Sequence, residues 1–389
     1  MKIIAPARLA VAWLTMFLVG TELFVFSPLL PVLAAEYHVP TPSAGLAVTV
    51  FSLAYAVGAP LIGHLSDRVG SRRVLVCSLL VFSLANILTA DAANLSALLA
   101  ARLLAGAAAA GVSPSLYALV GAAAPSESRA TWLEMAASGL LASLAFGASA
   151  GGFVGAVFGG APVFLVLAGL SLILVWLNRS VWPSEDRDPA SGPAPEAADL
   201  LAPAVLACRL VPTVVWSTGL YAVYTYLGAS LTAGGFTTGQ TAAAILCYGC
   251  GAIAGVLVGG RAADRFGAKF TASASLAGLG SCLLLLRMAV DAGSLVVPFL
   301  AASSAVAQLF FPAQQAGLAK DFPHRRAAAL AWNNAALFLG ISLGSLVGAK
   351  ATAAGGFTAN LTIAAGIAFS GCVLNTILVP GQALPRFNQ

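Results

Sequence analysis

Apolar residues run in long stretches along this chain, and short clusters of charged and turn-forming residues break them at regular intervals. A helix needs about 20 mostly apolar residues to cross a bilayer. The pattern predicts six such helices in the first half, at 9–31, 43–63, 74–91, 97–121, 131–156 and 161–181. It predicts six more in the second half, at 207–231, 241–260, 270–290, 295–318, 328–352 and 358–380. The intervening loops are short except at 182–206, where Pro183, Pro189, Pro193, Pro195 and Pro203 are mixed with five acids. That stretch cannot bury enough apolar surface to fold alone and reads as a flexible linker. The expected organisation is a bundle over 1–181, a linker over 182–206 and a second bundle over 207–389.

The two halves repeat one another. Gly63-His-Leu-Ser-Asp67-Arg68-Val-Gly70-Ser-Arg72-Arg73 lies between the second and third helices, and Gly260-Arg261-Ala-Ala-Asp264-Arg265-Phe-Gly267-Ala-Lys269 lies between the eighth and ninth. Asp67 and Asp264, Arg68 and Arg265, Gly70 and Gly267, and Arg72 and Lys269 are each separated by 197 positions, about half the 389 residues. Gly147 and Gly151 stand in the same relation to Gly344 and Gly348. Small residues four apart let helix backbones approach closely in lipid, and these two ridges predict contacts along which the halves rock. The fold expected is all-α: a polytopic membrane protein of twelve transmembrane helices in two pseudo-symmetric six-helix bundles. Duplicated bundles of this kind move around a shared central site.

Composition agrees. Hydrophobic residues make up 59% of the chain and charged residues 8%, where a soluble domain carries about a quarter charged; the mean hydropathy is +0.93. The formal net charge of +5 does not point to nucleic acid, because the basic residues sit in short loops between apolar runs rather than on one patch. Of the 19 lysines and arginines, Arg102 lies within a span and Arg287 and Lys350 fall on one side; the others lie on the opposite side with both termini and the linker. The positive-inside rule makes that side cytoplasmic, so both termini are expected in the cytoplasm of a bacterial cell, with the bundle in its inner membrane. Lys2 and Arg8 ahead of an apolar run resemble a signal peptide, but the run is too long and contains Glu22, so it reads as a retained first helix. Cys247-Tyr-Gly-Cys250 has a metal or redox spacing, yet it falls inside a span with no partner pair nearby, and no metal or cofactor is expected.

The charged loop, from Gly63 through Asp67, Arg68 and Gly70 to Arg72 and Arg73, resembles the loop between helices two and three of the major facilitator superfamily. Arg102-Leu-Leu-Ala-Gly106 looks like the fourth-helix motif of its twelve-helix drug:proton antiporters, a motif associated with proton coupling. Gly147-Ala-Ser-Ala-Gly151-Gly152 resembles their fifth-helix motif, with Ala148 where proline is usual. Gly20-Thr21-Glu22-Leu-Phe24-Val-Phe26-Ser-Pro28-Leu-Leu-Pro31 looks like the first helix of a branch holding sugar-efflux permeases, chloramphenicol exporters and purine pumps. The resemblance implies the major facilitator fold, export by alternating access, and cytoplasmic gating by Asp67, Arg68, Gly70, Arg72, Arg73, Asp264, Arg265, Gly267 and Lys269. Asp67 would then face the positive end of the eleventh helix, and Glu127 would pair with Arg72 or Arg73.

Glu22 is the one carboxylate in the middle of a predicted span. A charge there costs a few kcal/mol, so it must face a cavity, pair with a cation or be protonated. Arg102 sits at a depth only a few ångströms different, taking about 1.5 Å per residue. The two are expected to form the proton-coupling pair, with substrate and proton in competition. Substrate contacts are expected from Glu22, Phe26, Tyr55, Tyr117, Trp216 and Tyr221. Further contacts are expected from Tyr224, Tyr248, Phe310, Trp332, Asn333, Asn334 and Phe338. A cavity so lined suits small amphipathic molecules, neutral or weakly cationic.

No Gly-x-x-x-x-Gly-Lys-Ser/Thr occurs, so ATP does not drive the cycle. The leading expectation is a substrate:proton antiporter; the alternatives are a sugar, nucleobase or amino-acid permease, or an uncoupled facilitator. Gly147-Ala-Ser149-Ala-Gly151 matches a hydrolase nucleophile elbow only formally, since it lies in a membrane helix and His38, His64 and His324 are in loops. The protein is therefore expected to be no enzyme. Its expected partners are a small-molecule substrate, protons and the lipid bilayer, with the protein acting as a monomer.

Overall fold

The computed structural model describes residues 4–183, 203–290, 293 and 295–379, and among them there are helices and no strands. Helix α1 runs from Ile4 to Phe24 and continues past Val25 as Phe26–Glu36. Val25 keeps helical angles, and the discontinuity falls where Pro28 and Pro31 withdraw two backbone donors from the ladder. A short turn of helix at Thr41–Ala44 leads into α2, Leu46–Val69. Then come α3, Ser71–Ala90, and α4, Leu95–Ala123. The start of α4 is fixed by Asn94, whose side chain accepts from the Ala97 amide at 2.9 Å and so satisfies one of the four free donors of a helix N-terminus.

Helix α5 is composite. It opens as Arg129–Ala142, passes through a π-helical turn at Ser143–Gly147, and resumes as Ala148–Phe158. Such turns insert one residue into the ladder and bend a helix where a proline otherwise would. The sequence lacks the motif's proline at Ala148, and the wide turn stands immediately before that position. Helix α6 spans Gly160–Val181.

The second half repeats the series: α7, Pro203–Ala233; α8, Thr238–Phe266; α9, Ala268–Ala289; and α10, Val296–Gln308 continued as Phe310–Asp321. The helical run Arg326–Leu378 is broken by Gly355 and by Gly356, at φ 67° and ψ −160°. Only glycine adopts that conformation readily, and it separates α11 (326–354) from α12 (357–378). All twelve expected spans are present.

The helices sort into two compact units, Met1–Glu196 with Leu227–Leu246, and Ala197–Tyr226 with Cys247–Gln389. The C-terminal part of α7 and the start of α8 thus cluster with the first unit. There, the Gly228 amide donates to Ser27 Oγ at 3.3 Å, and a Cβ at position 228 would strike the Ser27 and Pro28 backbone.

Each unit uses the same pairings. In the first, α2 meets α4 where Gly106 lies on the Phe51 backbone, and α5 meets α1 at Gly139 and Gly147. In the second, α8 meets α10 where Gly251 and Gly255 lie on the backbone of Ala301 and Ala305, and α11 meets α7 at Gly344 and Gly348. Lipid offers no hydrophobic drive for helices to associate, so van der Waals contact at glycine-lined seams holds these bundles together. The remaining apolar side chains, such as Leu61, Phe158, Trp176, Met288 and Ile377, stay exposed on the outside, as expected of residues facing lipid tails.

Candidate transport site

Glu22 of α1 and Arg102 of α4 form a buried ion pair, with Arg102 Nη1 donating to Glu22 Oε1. Their side chains are 0% and 1% exposed, which makes this the most deeply sealed charge pair among the described residues. Helix α4 can bring Arg102 so close because Gly106, one turn on, removes the side chain that would hold α2 away. Phe51, carried on α2, then covers one face of the guanidinium at 4.4 Å, while Phe26 of α1 covers another at 4.1 Å. Cation–π contacts of this kind strengthen when desolvated. They hold the arginine in place while leaving its hydrogen-bonding edge to the carboxylate. Among the described residues Glu22 Oε2 and Arg102 Nε make no hydrogen bond, with the Asn86 side chain of α3 placed to act on Glu22.

The sequence pairs Glu22 with Arg102 and offers Phe26 only as a substrate contact, and it does not single out Phe51. A phenylalanine in an apolar span carries no signal of its own; only the Gly106 contact, four residues from the motif arginine, points to α2. Tyr55 of α2 and Tyr117 of α4 lie within electrostatic reach of one another in the same unit.

The expected substrate residues of the second half fall into separate groups. Trp216 stacks on Phe310 and Phe311, with ring centroids 5.0 and 5.9 Å apart, and its indole N–H donates to the Ala307 carbonyl at 2.8 Å. Tyr224 packs edge-on to Tyr221 at 6.0 Å and tilted on Tyr248 at 5.3 Å. Asn333 is fully buried and accepts from Thr213 Oγ1 at 2.6 Å, while its Nδ2 lacks a partner among the described residues. Phe338 is buried on the same helix, whereas Trp332, 47% exposed, faces outward. The Asn333-Asn334 pair is therefore split across the helix surface, with Asn334 half-buried.

The two charged loops share one geometry. Gly70 has φ 101° and Gly267 has φ 89°, each at the corner between consecutive helices. The repeated glycine is thus required by a left-handed backbone that an L side chain adopts poorly. Arg68, Arg73, Asp264 and Arg265 are exposed; the side chain of Asp67 lies outside the described set. Arg72 does not pair with Glu127. Its guanidinium donates to the Arg179 carbonyl in the last turn of α6, and Glu127 accepts instead from Ser126 at 2.8 Å. A free carbonyl at a helix C-terminus is a good partner for a cation. Arg8 does the same at Val181, at 3.0 Å.

The glycine ridges also differ from expectation. Gly147, Gly151 and Gly152 lie against Thr21, Val25 and Pro28 of α1, and Gly344 and Gly348 lie against Thr218, Ala222 and Tyr226 of α7. Each ridge is a seam within its own half. Ser149 is spent on the Ala145 carbonyl at 2.6 Å, as a helical serine inside a span usually is.

The sequence profile of the Major Facilitator Superfamily matches residues 12–239 and again 213–387. The chain is 28% identical over 341 residues to the uncharacterized MFS-type transporter YceJ of Bacillus subtilis (strain 168), covering 85% of this chain and 86% of that one. It is 27% identical over 260 residues to a chloramphenicol resistance protein of Streptomyces lividans, covering 66% of each. The crystal structure of a D-xylose-proton symporter superposes with a TM-score of 0.81 over 96% of this chain and 98% of that one, at 17% identity. That likeness is one of fold. With twelve spans, a duplicated loop and a profile match over nearly its whole length, the chain belongs to the Major Facilitator Superfamily of membrane transporters.

Proposed function

We propose that the protein is a proton-coupled exporter, exchanging small amphipathic molecules for protons by alternating access. The observation that carries this reading is the Glu22–Arg102 pair, clamped between Phe26 and Phe51 inside the bundle. In a carboxylate sealed from water and held by one arginine, burial favours the protonated, released form and the arginine favours the ionised, paired one. A weakly cationic or hydrogen-bonding substrate competes with Arg102 for Glu22, so that loading substrate expels a proton and loading a proton expels substrate. Aromatic surfaces of Tyr55 and Tyr117, in the same unit as the pair, supply the apolar part of the site. The similarity to a chloramphenicol resistance protein supports drugs and antibiotics as the substrate class.

The loops at Asp67–Arg73 and Asp264–Lys269 gate the side that carries the basic residues. By the positive-inside rule that side is the cytoplasm, with both termini there and the bundle in a bacterial inner membrane. The test is transport in proteoliposomes under an imposed pH gradient. Uptake driven by the gradient in the native protein and lost in Glu22→Gln supports exchange. Uptake indifferent to the gradient in both sinks it.

A further inference from the structure

A second buried arginine lies outside the site just described. Arg209 of α7 is 5% exposed and pairs with Asp321 at the end of α10, and its backbone carbonyl accepts from Gln314 at 2.6 Å. The ion pair uses one terminal nitrogen; Nε and Nη1 are sealed and have no partner among the described residues. Arg209 lines a cleft with Lys269 and Ala272 of α9, Gly317 of α10, and Asn375 and Val379 at the end of α12. Asn375 gives its Nδ2 to Lys269 and Ser273, and its Oδ1 is likewise buried and unpartnered.

The first half shows what this position looks like when it is closed. Asn178 and Trp182 stand 197 residues before Asn375 and Val379. The Trp182 indole donates to Asn178 Oδ1 at 2.9 Å and fills the gap, with Arg8 over its ring at 5.8 Å. In the second half Val379 replaces the indole, and a cavity of about 10 Å³ remains, room for one atom the size of a water oxygen. Buried unpaired donors on an arginine are costly, and Arg209 shares the cleft lining with Lys269, in the first turn of α9, whose free N–H groups favour an anion.

We propose that this cleft binds a phosphate-bearing anion, with one phosphate oxygen entering between Arg209 and Lys269 and the remainder staying outside. The cavity admits a single oxygen, and the arginine fork and lysine suit a phosphate. The cleft lies at the end of the bundle that carries the basic loops. Basic pockets between membrane helices on that side take anionic lipid headgroups; a free phosphate offers the same oxygen.

The experiment uses the full chain in detergent micelles, titrated in a thermal-shift assay with short-chain phosphatidylglycerol, short-chain phosphatidylcholine and inorganic phosphate. Saturable stabilisation by phosphatidylglycerol but not phosphatidylcholine is expected, with half-saturation raised about tenfold in Arg209→Gln, the loss of one charge-assisted bond. Val379→Trp plugs the cleft as Trp182 does and should weaken binding at least as much without touching a charge, so it decides the matter if Arg209→Gln fails to fold. Stabilisation by inorganic phosphate alone, lost in Val379→Trp, assigns the occupant to a soluble source and upholds the site. No response to either anion, equal response to both lipids, or responses unchanged in Val379→Trp would overturn it.

Discussion

Arg102 Nη1 donates to Glu22 Oε1 inside a shell closed by Phe26 and Phe51, and the other carboxylate oxygen makes no hydrogen bond among the described residues. Removing one member of such a pair strands the other. Glu22→Leu should destabilise the protein by about 3–5 kcal/mol, because it leaves an uncompensated buried guanidinium. Glu22→Leu combined with Arg102→Met should recover most of that loss, since two well-packed apolar groups can replace a buried pair. The double variant should nevertheless show no gradient-driven transport. Melting followed by fluorescence-detected size exclusion, alongside proteoliposome uptake, separates the structural part of the pair from the coupling part. A double variant no more stable than Glu22→Leu would show that the two side chains do not act together.

Gly106 and Gly121 lie on the same helix and should respond oppositely to alanine. A Cβ at position 106 meets the Phe51 carbonyl, a backbone atom that cannot swing aside, whereas no atom of the described residues lies within 4 Å of one at position 121. Gly106→Ala should cost about 1–3 kcal/mol by overpacking the α2–α4 seam. It should also disturb transport, because Phe51 is carried by the displaced strip of α2. Gly121→Ala should stabilise by about 0.4–1 kcal/mol through the lost freedom of the unfolded chain. Paired melting curves check both signs at once.

The fold was legible in the sequence because the bilayer imposes one length and one composition on every span. The 197-residue echo made the duplication visible. Glu22 and Arg102 could be paired from sequence for the same reason: a charge in hydrocarbon must find its opposite. What escaped the sequence is decided by tertiary geometry. Arg72 could reach a carboxylate or a helix end, and the position of the last turn of α6 settles it in favour of Arg179. The glycine ridges promise a close contact without saying against what, and the structure spends them on α1 and α7 within each half. Arg209 lay at the edge of a predicted span, where it counted as one more loop charge; only the fold brings Asp321 to it.

The π turn in α5 predicts how this helix tolerates proline. In the turn, the Ala148 amide donates to the Ser143 carbonyl five residues back, so the carbonyl four residues back, which a proline ring would strike, is not held in the usual ladder. Proline inside an ordinary helix costs about 3 kcal/mol or more. Ala148→Pro should cost clearly less, close to the one hydrogen bond it removes, about 1 kcal/mol. Leu141→Pro, about two turns earlier in the regular part of α5, should carry the full penalty. Equal losses of melting temperature in the two variants would mean that the wide turn does not stand in for the motif's proline.

In the second half, Thr213 Oγ1 donates to Asn333 Oδ1 at 2.6 Å, both side chains being fully buried. Asn333→Leu leaves the threonine hydroxyl without its acceptor, and Thr213→Val leaves the amide oxygen without its donor. Each should cost about 1–3 kcal/mol, the desolvation of a stranded polar group. Replacing both removes the two polar groups together, so the double variant should lose less than the sum of the singles, with a coupling of about 0.5–3 kcal/mol. Transport separates a packing role from a substrate role. Asn333 Nδ2 has no partner among the described residues, so if it donates to substrate, Thr213→Val, which leaves that amide in place, should largely retain uptake. Asn333→Leu should lose it even when the double variant restores stability. Uptake that follows melting temperature alone across the three variants would confine Asn333 to holding α11 against α7.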